Sequence, residues 1–219
     1  MKSIFIPGEK ISDTPERVAG TYIESGKTLV STISFLNNKH IIPLEGPWVP
    51  RIDDTVVGII IENRNHVYTV DLSFFGRGLL IESKFERQSF DPDTVIEAKV
   101  KNVEDRKTVI LSYPKPLSGG VVINVKPSKI SRIIGRENTM VDQIAEITNT
   151  RIAVGFNGFI WIKGIHVKEA MDAISMIEEN AHTDGLTERI KLMLEKSVSE
   201  KAGKADKQKD REKKNEQKV

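Results

Sequence analysis

Between Asp54 and Tyr113 the chain breaks into short apolar runs separated by turn residues. Five of them read as strands: Thr55 to Glu62, Val67 to Leu72, Gly78 to Ile81, Thr94 to Val103 and Lys107 to Ser112. Alternation is clearest in the fourth, where Ile96, Ala98 and Val100 share one face while Glu97 and Lys99 take the other. Five short strands within about 60 residues predict a small closed barrel of the OB type. Ahead of it, Val18 to Ile23, Thr28 to Ile33 and His40 to Leu44 are strand-like, with turns at Glu24-Ser25-Gly26-Lys27 and Asn37-Asn38, so residues 1–53 make a β-rich unit. The prolines of Glu45-Gly46-Pro47-Trp48-Val49-Pro50 end that unit, because proline offers no ladder donor. Trp48 reads either as a docking anchor or as a boundary residue packed against its neighbours.

Past the barrel the apolar period lengthens. Val121 to Val125 reads as a strand that leads through Lys126-Pro127-Ser128 into a short apolar turn ending at Gly135. A helix follows, with Asn138 or Thr139 as its cap and Met140, Val141, Ile144 and Ile147 on one face. Two strands, Arg151 to Val154 and Phe159 to Lys163, flank Gly155-Phe156-Asn157-Gly158, whose Asn-Gly pair suits a hairpin because both residues tolerate positive φ. The next helix buries Val167, Ala170, Met171, Ile174 and Ile177, and after Asp184-Gly185 a last one spaces Leu186, Ile190, Met193 and Leu194 helically. The fold class is therefore multidomain, mainly β and then α+β. Its parts are 1–53, 54–114, 115–182, a C-terminal helix over 183–200, and a charged tail over 201–219 that is expected to be disordered.

Charge changes this picture in one respect. The whole chain carries a net +2, but nine Lys/Arg against five Asp/Glu put +4 on residues 196–219, which leaves −2 on residues 1–195. Nucleic-acid binding by so slightly acidic a body rests on local patches and not on bulk charge. The absence of cysteine excludes disulfides and thiolate metal sites and fits a cytoplasmic location. The apolar run at Met1 to Gly8 is too short for a signal peptide, and no run approaches the roughly 20 apolar residues of a membrane span, so no membrane partner is expected.

Catalytic chemistry finds no support in the pattern. His40, His66, His166 and His182 are scattered without metal-ligand spacing, so no metal and no cofactor is expected. Asp53-Asp54 and Asp91-Pro92-Asp93 fall in predicted turns, where aspartate bonds its own backbone. No P-loop or nucleophile elbow occurs.

Two stretches resemble RNA-binding modules. The order strand, helix, glycine loop, helix, strand, strand, helix over 115–182 resembles a type I KH domain, whose Gly-X-X-Gly loop lets an RNA backbone approach because glycine has no side chain in the way. Here Gly135-Arg136-Glu137-Asn138 keeps the first glycine and one cation, and places Asn138, a residue able to turn left-handed, at the second. Within the barrel, Tyr68-Thr69-Val70-Asp71-Leu72, Gly78-Leu79-Leu80 and Val109-Ile110-Leu111-Ser112 resemble an S1 domain. The family's stacking aromatic and histidine align with Thr69 and Ile81, so the usual platform is absent. The candidate RNA contacts are then Arg64, His66, Tyr68, Phe74, Phe75 and Arg77 on the barrel, with a phosphate contact from Arg77 and Arg64, and Gly135 and Arg136 in the KH-like loop. The competing reading has both phenylalanines packing the barrel mouth and both arginines merely solvated.

In combination, Ile6-Pro7-Gly8, Trp48-Val49-Pro50-Arg51-Ile52-Asp53-Asp54-Thr55-Val56-Val57-Gly58 and Gly155-Phe156-Asn157-Gly158-Phe159-Ile160-Trp161 closely resemble the S1/KH cap subunit of the archaeal exosome, the ribosomal-RNA-processing protein four family. The resemblance implies a non-catalytic RNA-binding subunit. Three such chains, or a mixture with another cap protein, cap a hexameric RNase PH-like ring that degrades RNA 3′-to-5′ or adds tails. The N-terminal unit docks on the ring, the barrels surround its pore and the KH domains lie outside. It also implies that Gly155, Asn157, Gly158 and Trp161 are structural, with Trp161 packed on the neighbouring barrel. The alternative is a stand-alone RNA-binding factor in translation or ribosome assembly.

Overall fold

The computed structural model describes residues 3–16, 21–37, 40–43, 46, 48–65, 67–73, 76–81, 89–105, 108–180 and 185–199. Val18 to Gly20 of the first expected strand and the 201–219 tail lie outside the described residues.

The N-terminal residues form six short strands: β1 (Ser3–Phe5), β2 (Lys10–Ser12), β3 (Thr21–Glu24), β4 (Lys27–Val30), β5 (Ser34–Asn37) and β6 (His40–Pro43). They make two three-stranded sheets, ordered β1-β5-β6 and β2-β4-β3. The β3–β4 turn falls on Ser25 and Gly26 at positive φ, as the sequence predicts. The first two strands were not anticipated, because three residues leave no readable period. The β2–β4 sheet is tied by a buried hydroxyl: Thr28 Oγ1 donates to the Thr14 carbonyl at 2.6 Å and accepts the Glu16 N–H at 2.8 Å.

The barrel forms as expected. Strands β7 (Thr55–Arg64), β8 (Val67–Asp71), β9 (Arg77–Ile81), β10 (Val95–Asp105) and β11 (Thr108–Pro116) close in the order β10-β11-β9-β8-β7, with β9 and β11 parallel and the other pairs antiparallel. Alternation decides the core: Ile60, Tyr68, Val70, Leu80, Ile96 and Leu111 point inward. Trp48 joins them, and its Nε1 donates to Asp54 Oδ2 at 3.0 Å, so the reading of Trp48 as packed against its neighbours holds. Three register shifts between β10 and β11 supply the bulges that bend strands into so small a barrel.

The C-terminal half contains β12 (Val121–Asn124), α1 (Pro127–Ile134), a 3-10 turn (Arg136–Asn138), α2 (Thr139–Thr148), β13 (Thr150–Val154), β14 (Phe159–Gly164), α3 (Val167–Asn180) and a helix α4 over 186–199. Pro127 opens α1, a position where its missing N–H costs nothing. The sheet order is β12-β14-β13, and α3 buries Ala170, Ala173, Ile174 and Ile177. Leu186, Ile190 and Leu194 are buried along α4, on the stripe their spacing predicts.

Backbone contacts separate two compact units. One comprises the described residues of 1–118 together with 124–130 and 154–159; the other comprises 119–123, 131–153 and the described residues from 160 onward. The turn between β13 and β14 thus belongs with the barrel.

Candidate nucleic-acid interface

The outer face of β8 and β9 follows from their pairing. Val67 lies opposite Ile81, Thr69 opposite Leu79 and Asp71 opposite Arg77, while Tyr68, Val70 and Leu80 point into the core. Tyr68, expected to face RNA, therefore lies inside. It is 1% exposed, its ring meets Phe90 edge-on at 5.5 Å, and its hydroxyl accepts the Phe90 N–H at 3.4 Å. The odd-even register of β8 decides this: with Thr69 and Asp71 outward, Tyr68 has to be inward.

Arg77 begins β9, is exposed, and makes no ion pair among the described residues. Its cross-strand neighbour Asp71 is occupied locally, accepting the Ser73 N–H at 3.0 Å. Arg64 is also exposed, but its Nε bonds Glu62 Oε1 at 2.6 Å. The two arginines do not form a joint clamp. Arg64 pairs with Val67 and Arg77 with Asp71, so their partners lie four residue steps apart on β8, roughly 13 Å along the strand. His66, Phe74 and Phe75 lie outside the described residues.

The KH-like loop has a backbone of its own kind. Gly135 stands at φ 75, where a Cβ would come within 2.7 Å of Met140 Cβ and 2.8 Å of its backbone nitrogen. Glu137 and Asn138 follow at φ 52 and 66, so Asn138 does adopt the left-handed turn that a second glycine would make. It caps α2 by position only, without a side-chain bond, and Thr139 Oγ1 turns back to the Arg136 carbonyl at 2.7 Å. The expected side-chain cap is therefore absent. Arg136 is exposed, with no ion pair among the described residues.

The Gly155–Gly158 turn is a clasp on the barrel strand β7. Asn157 is 1% exposed; its amide nitrogen donates to the Val57 carbonyl at 2.8 Å and its amide oxygen accepts the Val57 N–H at 3.2 Å. The Phe156 N–H bonds the Thr55 carbonyl at 2.9 Å, so the turn continues the ladder beside β7 where β8 has ended. Gly155 is required there, because a Cβ would run into the Val57 nitrogen and Asn157 Oδ1. Gly158, at φ 101, accepts the Val125 N–H at 2.8 Å. Asn157 is thus used for its side chain and not for a positive φ, and its backbone receptor, a hundred residues earlier, leaves no sequence signal. Trp161 Nε1 donates to the Gly119 carbonyl at 2.6 Å, inside the second unit.

No group of three or more His, Asp or Glu placed to hold a metal occurs among the described residues, and no described helix is long and apolar enough to cross a membrane.

Comparison with known proteins identifies the frame. A KH domain model matches residues 120–168. Exosome complex component Rrp4 of Pyrococcus furiosus is 33% identical over 91% of this chain and 85% of its own length. The Methanobrevibacter smithii protein of the same name is 34% identical over 90% of this chain and 72% of its own. That of Picrophilus torridus is 32% identical over 94% and 98%. A crystal structure of a proposed exosome complex RNA-binding protein superposes with a TM-score of 0.62 at 25% identity, covering 71% of this chain and 99% of that one. With 30% identity exceeded over 72% to 98% of the length of these relatives, the chain belongs to the Rrp4 family of archaeal exosome components.

Proposed function

We propose that this chain is a non-catalytic, cytoplasmic cap subunit of an exosome, capturing RNA and guiding it into an RNase PH-like ring for 3′-to-5′ degradation or tailing. The likeness to Rrp4 proteins carries this reading, because it runs through the N-terminal unit, the barrel and the KH-like residues together. The distribution of exposed apolar side chains supports the docking role of residues 1–53. Ile4, Ile6, Tyr22, Ile23, Ile33, Val49 and Ile52 are seven of the thirteen exposed large hydrophobic residues among those described. Three copies around one pore would raise the local RNA concentration without strong single sites, which suits a body with net −2 and a barrel without the usual stacking pair. Arg77, Arg136 and Arg64 are the cations offered to phosphate, with His66, Phe74 and Phe75 completing the barrel contribution.

Affinity purification of the tagged protein from its native cells tests the proposal. RNase PH-like subunits should co-purify in near-stoichiometric amounts. Recovery of ribosomal proteins, or of no stable partner, would favour a free RNA-binding factor instead.

A further inference from the structure

One aromatic side chain stands exposed in a strained strand position. Tyr113 has φ 53, in the left-handed region where a Cβ is disfavoured and where glycine is the usual occupant of such a bulge. It also precedes Pro114, whose ring pushes the preceding residue toward extended backbone. Register shows how the position arises: Lys99 pairs with Ser112 and Glu97 with Lys115, so Tyr113 and Pro114 together face Ala98. The side chain is nonetheless 71% exposed, and its hydroxyl has no hydrogen bond among the described residues. Asparagine or glycine would make the same bulge with less strain.

Two cations flank this ring, and one carboxylate, Glu97, lies across from the second of them. Lys99 and Lys115 are both exposed and form no ion pair among the described residues. Lys99 lies across from the residue before Tyr113, and Lys115 follows it by two positions, about 7 Å along the strand. Continuing the parallel β9–β11 register one step past Leu80 and Leu111 brings Ser112 beside Ile81, which is exposed. Ile81 pairs in turn with Val67, and Val67 with Arg64. One outer band of the barrel therefore runs Lys99, Ser112, Ile81, Val67 and Arg64, with Tyr113 next to Ser112 on β11.

We propose that Tyr113, flanked by Lys99 and Lys115, is a stacking station for one unpaired base of single-stranded RNA. The inference rests on the RNA-binding reading above and supplies an exposed ring among the described residues of the barrel, where Thr69 takes the usual aromatic position and Tyr68 faces inward. Any base can stack on a tyrosine face, which gives sequence-tolerant capture, and the two ammonium groups take flanking phosphates as point charges.

The test is the affinity of the full chain for a fluorescently labelled, unstructured oligouridylate at low salt, with thermal melting of each variant. Tyr113→Asn should lose about tenfold in affinity while melting at a higher temperature, and Tyr113→Phe should stay within about twofold of the parent. Lys99→Ala and Lys115→Ala should each flatten the salt dependence of binding. Equal affinity of Tyr113→Asn and the parent would overturn the station while leaving RNA binding by this chain intact. A lower melting temperature for Tyr113→Asn would show the ring to be structural and overturn it as well. Failure of the parent to bind RNA, alone or in the purified assembly, would remove the station and the cap reading together.

Discussion

Asn157 does at one residue what a strand does over several. Its amide presents a donor and an acceptor to the Val57 backbone, both at hydrogen-bond distance in a site closed to water. Alanine at this position leaves two buried backbone groups without partners, so Asn157→Ala should lower the stability of the unit by about 2–4 kcal/mol in denaturant unfolding. Asn157→Asp keeps an acceptor for the Val57 N–H but sets a carboxylate against the carbonyl, and near neutral pH it should be at least as damaging. Gly155→Ala should cost a similar amount, because its Cβ would enter the same contact. A much smaller electrostatic effect lies at the surface of the N-terminal unit. The Lys10 ammonium, 2.8 Å from the Asp13 carboxylate, holds Asp13 below its ordinary value by hydrogen bonding and charge, with a weaker pull from Lys27. A carboxyl lowered in the folded state contributes stability above its unfolded pKa and loses it as pH falls through the folded one. Asp13→Asn should therefore be slightly less stable than the parent near pH 7, the difference vanishing in strong acid and shrinking with salt, since the pair is exposed.

Among elements, the barrel strands were legible and their bulges were not, for a reason visible in β8 and β11. Inward Val70 and Leu80 and outward Glu97 and Lys99 follow strict alternation, so strand positions and core could be read from the pattern. The same alternation correctly applied puts Tyr68 inside, and the expectation that it meets RNA failed by weighing its chemistry above its parity. Bulges erase parity altogether. Tyr113 sits where β11 carries two residues against one on β10, and no run of sequence announces that its φ is positive. Loop chemistry was readable where a residue type implies a conformation: Asn138 is left-handed as its identity suggested. At that position Asn138→Ala should cost about 1 kcal/mol, while Asn138→Gly should be nearly neutral, as judged by thermal unfolding. Gly135→Ala should be worse than either, because its Cβ meets the backbone of Met140 and not open space.

For the molecule as a whole, weak sites become useful only by being held together. Within the barrel, Arg64 at one end of the β7–β8 hairpin and Arg77 at the start of β9 stand apart, and Arg136 belongs to the KH-like loop of the other unit. A phosphate contact from such a cation is sequence-independent and screened by salt, so the proposed sites predict that a lone chain carrying −2 on its body will hold RNA poorly at physiological ionic strength. The proposed arrangement of copies around one pore would change the arithmetic. An RNA held by one copy is presented to the next at the effective concentration set by their spacing, and the losses from one substitution multiply across copies. Arg77→Ala should accordingly weaken RNA capture by the assembled complex by more than its effect on the isolated chain, roughly the cube of the single-chain factor if three copies engage one RNA. Binding curves of parent and variant, measured free and in the assembly at matched salt, make the comparison. Equal fold-losses in both would mean that copies act independently, and the case for capture around a shared pore would fall even if the chain proved to be a stable member of the complex.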